Sequence, residues 1–213
     1  MEGRLRSRTT INSKGNTIKH EYDYFNEVPS YLSSHIISND GCVTAALKYN
    51  YKQNSGFYVP SSIEKAAIAP TNTESDLRYY TQKTFDEYDA DGRPLQITDK
   101  TGKSTCFIWG YGGQYPIAKI ENITYDILSQ EENITGSYGG TLTPFANNSL
   151  RNMGKDIHVT TYTYNPLVGI TCIEDPSGHK IYYEYDENGK LIRIKDHNGV
   201  PVKSYQYNIA TDY

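Results

Sequence analysis

Tyr185-Asp-Glu-Asn-Gly-Lys-Leu-Ile-Arg-Ile-Lys-Asp196-His-Asn-Gly199 holds two copies of one turn, Asp-x-x-Gly, separated by a single short strand. Asp at the first position of a type I turn accepts from backbone N-H groups two residues on. Gly at the fourth position can take a positive φ and form the bulge of a three-residue hairpin loop. Between the turns Ile192 and Ile194 alternate with Arg193, which puts the isoleucines on one face of a sheet and the arginine on the other. The chain must reverse at each turn, so the stretch reads as strand, turn, strand.

Tyr88-Asp-Ala-Asp-Gly-Arg-Pro-Leu-Gln-Ile-Thr-Asp99-Lys-Thr-Gly102 aligns with this stretch without a gap, with Leu95 and Ile97 matching Ile192 and Ile194 and Gln96 matching Arg193. The full set of turns is Asp89 to Gly92, Asp99 to Gly102, Asp175 to Gly178, Asp186 to Gly189 and Asp196 to Gly199. Neighbouring turns start ten or eleven residues apart, which leaves room for one strand of about six residues between them. A longer-turned variant runs from Tyr162 through Gly169 to Ile173, and a weaker copy opens the chain with Asn12 to Gly15 as its turn and Tyr22-Asp23 after it. An internal repeat of this kind sets the architecture. The expected fold is mainly β: an antiparallel meander of repeated β-hairpins forming a curved strip or partial shell, with a short helical insertion.

The organisation follows from where the turn signals lapse. Residues 1–84 read as an irregular β-hairpin region, with a cue at Asn39-Asp40-Gly41, an alternating strand from Val43 to Tyr51, and a polar, Pro-interrupted loop from Ala66 to Asp76. Residues 85–121 and 156–213 carry the repeat hairpins, and 122–155 break the pattern. In that insertion Asn122 to Glu132 has the makings of a short helix that places Ile123 and Ile127 together, and Thr143 is an N-cap ahead of Pro144 at the first helical position. Gly136-Ser-Tyr-Gly-Gly140 between them reads as a flexible linker.

Composition narrows the function classes. The chain has 213 residues, ample for a core. Only 37% are hydrophobic and 21 are tyrosine, a side chain that buries its ring while leaving a hydroxyl hydrated or bonded, which suits a thin sheet better than a thick sandwich. A formal net charge of -4 with the signs interspersed offers no stripe to a phosphate backbone, so nucleic acid is not an expected partner. Cys42, Cys106 and Cys172 are odd in number and far apart; each reads as a reduced, buried small hydrophobe rather than part of a disulfide framework or zinc site. No apolar run is long enough for a membrane span, and the Arg-rich N-terminus has no apolar core of an export signal.

The pattern Tyr-Asp-x-x-Gly-(Arg/Lys)-x-(Leu/Ile)-x-x-x-x-Asp resembles the YD repeat of the Rhs family, and Tyr185 to Asp196 is a close match. Phe107 to Tyr111, Tyr115 to Tyr125 and Thr160 to Ile170 are similar to stretches of Bacteroides-type members of that family. The firm resemblance covers about residues 85–125 and 158–208. It implies a fragment of a longer YD-repeat shell, in relatives often wound around a toxic or variable domain, at the surface of a bacterium or secreted from it. The partners it implies are the rest of that chain or an enclosed domain.

Several constellations look chemical. Glu87-x-Asp89-x-Asp91-Gly92 resembles the first half of a calcium loop, but position twelve of that frame is Thr98 and the flanks read as strands, so it is a turn. His20, His35, His158, His179 and His197 never stand at metal-ligand spacing, and His179 and His197 fall at exposed turn positions. Asp175-Pro-Ser-Gly178 is similar to the Asp-Pro-x-Gly at which some Rhs shells cleave themselves, yet it runs straight into another repeat and reads as a turn. Trp109, Tyr111 and Tyr115, set among Gly110, Gly112 and Gly113, have the makings of an aromatic platform for a sugar. The sequons at Asn122, Asn133 and Asn147 signify nothing in a bacterial protein. With no catalytic triad, phosphate loop or dinucleotide motif present, the reading is a non-catalytic structural segment without metal or cofactor. The alternative is a carbohydrate-binding or adhesion module centred on Trp109.

Overall fold

The computed structural model describes residues 3–69, 73–131 and 140–207. The chain divides into two compact units, Met1–Gly102 and Lys103–Tyr213. In the first unit β1 (Ser7–Ile11), β2 (Thr17–Tyr24), β3 (Leu32–Asn39), β4 (Cys42–Asn54), β5 (Phe57–Ala67), β6 (Arg78–Tyr88) and β7 (Pro94–Asp99) each pair antiparallel with the next in sequence. In the second, β8 (Ser104–Gly110), β9 (Tyr115–Glu121), β10 (His158–Asn165), β11 (Gly169–Glu174), β12 (Lys180–Tyr185), β13 (Leu191–Lys195) and β14 (Pro201–Ser204) do the same. This is an antiparallel meander that does not close: among the described residues β1 pairs only with β2, and β14 only with β13.

The repeat begins earlier than its signature. Residues 7–67 hold five regular strands, and the boundary between the units falls after Gly102. The segment read as a loop from Ala66 to Asp76 starts inside β5 and ends in a one-turn 3-10 helix, Glu74–Asp76. There Thr73 Oγ1 donates to Asp76 Oδ2 at 2.6 Å and the Thr73 amide donates to the same oxygen at 3.0 Å.

The two units bury different amounts of apolar surface. The first has a small cluster, Ile36, Val43, Ala46 and Ala66, with Leu77 and Tyr79 packed on it. The second buries Cys106 and Ile108 from one face of β8, Ile117, Ala118 and Ile120 from β9, and Val159 from β10. Two helices cover that face. In α2 (Pro144–Asn152) Ala146 and Leu150, one helical turn apart, are fully buried while Phe145 is left exposed. Thr143 Oγ1 accepts from the Ala146 amide at 3.2 Å, and Pro144 occupies the first turn, where its missing N-H costs nothing.

The other helix corrects the sequence reading. α1 spans only Tyr125–Leu128; Ile123 lies before it and is buried, whereas Ile127 is 54% exposed. The two isoleucines share no helical face because the helix begins after Thr124, and Leu128 takes the inward position instead. Residues 136–139 of the expected Gly-rich linker lie outside the described residues. Of the cysteines only Cys106 is buried; Cys172 is partly covered and Cys42 is exposed, since it is the first residue after the two-residue turn joining β3 to β4.

Candidate functional site

Each Asp-x-x-Gly turn is closed by the same small set of bonds. At Asp89 the side-chain Oδ1 accepts from the amides of Asp91 at 3.0 Å and Arg93 at 2.9 Å, the Gly92 amide donates to the Asp89 carbonyl at 3.1 Å, and the Asp89 amide donates to the Arg93 carbonyl at 3.0 Å. Asp175, Asp186 and Asp196 repeat all four, and Asn12 does so with its amide oxygen. At Asp99 the side chain takes the Thr101 amide at 2.7 Å and the Gly102 amide closes the turn at 3.0 Å. The carboxylate thereby satisfies N-H groups that the reversal would leave unpaired. Gly92, Gly102, Gly178, Gly189 and Gly199 all have φ between +75° and +84°, the left-handed region that costs a β-carbon strain.

The tyrosines perform a task that the turn pattern does not announce. Tyr24, at the end of β2, donates its hydroxyl to the Leu5 carbonyl at 2.9 Å; Tyr51 in β4 donates to Leu32 at 2.7 Å, and Tyr88 in β6 to Pro60 at 2.8 Å. In the second unit Tyr164 in β10 donates to Pro116 at 2.9 Å, Tyr185 in β12 to Ile170 at 2.8 Å, and Tyr207, beyond β14, to Leu191 at 2.9 Å. Every acceptor lies on, or just before, the strand that precedes the donor in the meander. Each hydroxyl therefore locks a strand to its predecessor near the end where that predecessor begins. Gly169 makes room for one lock, since a β-carbon there would lie 2.6 Å from the Tyr185 hydroxyl.

The locks need a protonated, donating phenol, and the sheet favours that form. Burial pushes Tyr88 up to about 12. It does the same to Tyr164, helped by the neighbouring Tyr162, Tyr111 and Tyr115. Tyr51 and Tyr185 are raised as well, chiefly by burial.

β8 is the exception to the pattern. Tyr111, which follows it, accepts from the Tyr164 amide at 2.9 Å and donates to the Tyr164 carbonyl at 3.1 Å, so one hydroxyl stands in for a strand partner of β10. Tyr115 accepts from the Leu167 amide at 3.2 Å. The rings of Tyr111 and Tyr115 meet edge to face at 5.6 Å, and Tyr115 stacks on Tyr164 at 4.7 Å. Trp109 is half-buried in β8 opposite Pro116, in register between the buried Ile108 and Gly110 and so on the face away from the core. The two tyrosines of the expected sugar platform are thus joined to Tyr164, while Trp109 belongs to the strand face.

The polar groups that look reactive are tied to one another. Arg93 Nε donates to Asp89 Oδ2 at 2.5 Å and its Nη2 to Asp91 Oδ2 at 2.6 Å, so the carboxylates of the calcium-like stretch hold an arginine. A recess of about 250 Å³ beside α2 is lined by Thr161, Tyr162, Cys172, Glu174 and Lys180. Glu174 in it takes Arg151 at 3.2 Å, Asn147 at 3.3 Å and Lys180 at 3.7 Å. Burial pushes the Cys172 thiol up, which favours its neutral form. Arg151 Nη1 also donates to the carbonyls of Asp175 at 2.8 Å and Pro176 at 3.2 Å, which fastens α2 to the Asp175–Gly178 turn. On β12 and β13 the Lys195 ammonium and Arg193 guanidinium hold the Glu184 carboxyl below its usual range. Among the described residues no group of three or more His, Cys, Asp or Glu side chains is placed to hold a metal ion, and no helix is long and apolar enough to cross a membrane.

No family model matches this chain, and no curated protein matches it. Among solved structures it is similar to a chain of TcdB2-TccC3-Cdc42 at 12% identity and a TM-score of 0.42, over 93% of this chain and 12% of that one. It is similar to a chain of TcdB2-TccC3-TEV at 11% identity and a TM-score of 0.46, over 86% of this chain and 9% of that one. The chain therefore spans about a tenth of the length of the structures it matches.

Proposed function

We propose that this chain is a non-catalytic structural segment of the YD-repeat type, one stretch of a β-meander shell in a larger bacterial surface or secreted protein that encloses or presents another domain. The observation that carries the reading is the fate of the repeated side chains. Six tyrosine hydroxyls bond to the backbone at the start of the preceding strand and five turn aspartates to the backbone of their own turn, which is what a scaffold requires of them. The outer edges of β1 and β14, with which no other described strand pairs, support it too, because such an edge can accept a further strand.

The test is electron cryo-microscopy of the product of the complete natural reading frame that contains these residues. The expected result is a longer sheet in which further strands pair with the outer edges of β1 and β14. A reading frame that supplies no such strands, or a product in which both edges stay bare, would overturn the proposal.

A further inference from the structure

Two histidines that stand fifteen residues apart in sequence meet across β2 and β3, with His20 Nδ1 3.1 Å from His35 Nε2. Their ring centroids are 5.3 Å apart and their planes differ by 21°, so the imidazoles meet edge to edge and nearly coplanar. Tyr22, directly opposite His35 in the ladder, stacks on it at 4.7 Å and 13°. Both imidazoles are half-buried. A neutral imidazole has one donor and one acceptor nitrogen, so the pair shares one hydrogen between the facing atoms. The ring that donates the shared hydrogen keeps a bare nitrogen on its far side, and a single proton added there leaves that bond in place. Adding a second puts N-H groups on both facing nitrogens and two positive charges side by side.

The surroundings oppose that second charge. On the strand flanking β2, Arg8 stands opposite His20. On β4, Leu47 stands opposite His35 and Ala45 opposite Ile37, and beyond Leu47 comes Lys65 of β5. The nearby acids Glu21 and Asp23 alternate to the other face, where Glu21 pairs with Lys19 and Asp23 with Arg6. The cross-strand neighbours therefore offer cations and apolar groups but no carboxylate.

We propose that His20 and His35 form a proton-operated latch that holds the edge hairpin β1–β2 to β3 while the pair carries at most one added proton and releases it when a second is bound. Burial, and then the charge of His20, depress His35 below its ordinary value. The unfolded chain thus takes up that proton more readily than the folded one. The stability contributed by the latch is full above the unfolded value of about 6.5 and is lost as pH falls through it toward the depressed folded value. The released element would be the outermost hairpin of the first unit, so acidification would act on the edge where the sheet can gain or lose a neighbour.

The experiment is an NMR titration of the imidazole signals of the full chain between pH 8 and pH 4.5, with amide exchange followed at residues 18–23 and 34–38. The facing nitrogens share one hydrogen, so the two rings are expected to titrate as a coupled pair, each signal sensing both steps. In His20→Gln the signal of His35 should collapse to a single step. Exchange in β2 should quicken, relative to the rest of the first unit, as pH falls through the lower step. Independent single steps for His20 and His35 in the parent would overturn the latch. The same acid-quickened exchange in the double variant His20→Gln with His35→Gln would overturn it as well.

Discussion

The two units share the tyrosine lock, but the turns joining β3 to β4 and β4 to β5 in the first differ from those of the last three hairpins. In the first unit β3 and β4 are joined by Asp40 and Gly41 at φ +47° and +84°, and β4 and β5 by Ser55 and Gly56 at +48° and +93°. Two successive positive φ values make the two-residue hairpin turn whose twist matches that of the strands. The late hairpins use the three-residue Asp-x-x-Gly loop. Asp40 does not close its own turn in the manner of Asp186; its carboxylate reaches the neighbouring turn, accepting from the Thr17 amide at 2.7 Å and from Asn16 Nδ2 at 2.6 Å, bonds that hold it below the usual carboxylate range. Yet Tyr24, Tyr51 and Tyr88 bond backward to the preceding strand as Tyr164, Tyr185 and Tyr207 do. Turn chemistry is interchangeable in this sheet because any of several local geometries reverses a chain. The lock recurs on alternate strand pairs of both kinds, where it closes the open end of a hairpin whatever its turn.

High pH should break this comparison most completely. The locking phenols Tyr51, Tyr88, Tyr164 and Tyr185 have raised values, two of them at about 12, so the unfolded chain loses these protons first and stability falls as pH rises from about 10 toward 12. Circular dichroism during an alkaline titration should show both units losing structure in that window, and Tyr88→Phe with Tyr164→Phe should flatten the loss. A late unit that fails while the early one persists would show that the early locks are incidental.

Glycine substitutions come next. At Gly92 a β-carbon meets both a positive φ and the Phe57 ring, which would lie 2.5 Å away, whereas at Gly199 nothing lies within 4 Å. Gly92→Val should cost roughly 2 to 5 kcal/mol, backbone strain plus a displaced ring, and Gly199→Val the strain alone, roughly 1 to 3 kcal/mol. Urea unfolding of both variants, repeated in a Phe57→Ala background, should bring the two costs together; a gap that survives without the ring would point elsewhere.

Asp186→Ala removes the acceptor for two backbone amides, Asn188 and Lys190, and should cost on the order of 1 to 2 kcal/mol in thermal unfolding. The two-residue turns have no such acceptor of their own, so Ser55→Ala should be close to neutral. Apart from that near-neutral control, the smallest effect in the series belongs to single locks. Tyr185→Phe and Tyr51→Phe should each lose about 0.5 to 1.5 kcal/mol, the net worth of one hydrogen bond to a carbonyl left without its donor. Equal losses would make the early and late locks equivalent, and a silent Tyr51→Phe would separate them.

How much of this was legible depended on how far each interaction reaches along the chain. The Asp-x-x-Gly turns were readable because every bond that closes the reversal falls within four residues. The N-cap at Thr143 was readable for the same reason. Tyr88, Tyr164 and Tyr185 stand directly before an Asp or Asn that opens a turn, so their positions were visible, but their acceptors lie 15 to 48 residues away. The early unit looked irregular because its turn residues, Asp40-Gly41 and Ser55-Gly56, do not match the late pattern. The short helix was misplaced because Ile123 and Ile127 have helical spacing without a helix that spans both.

By itself the sequence determined that the chain is a run of β-hairpins, where most of them reverse, and which strand positions alternate, since these follow from local backbone preference and period-two patterning. Only the tertiary structure decided that the tyrosine hydroxyls close each strand onto its predecessor, that Arg151 fastens α2 to the Asp175–Gly178 turn, and that His20 meets His35. The physical reason is register. A hydrogen bond between strands depends on how many residues slide past each other before pairing, and that number is set by the packing of the faces rather than by any one turn.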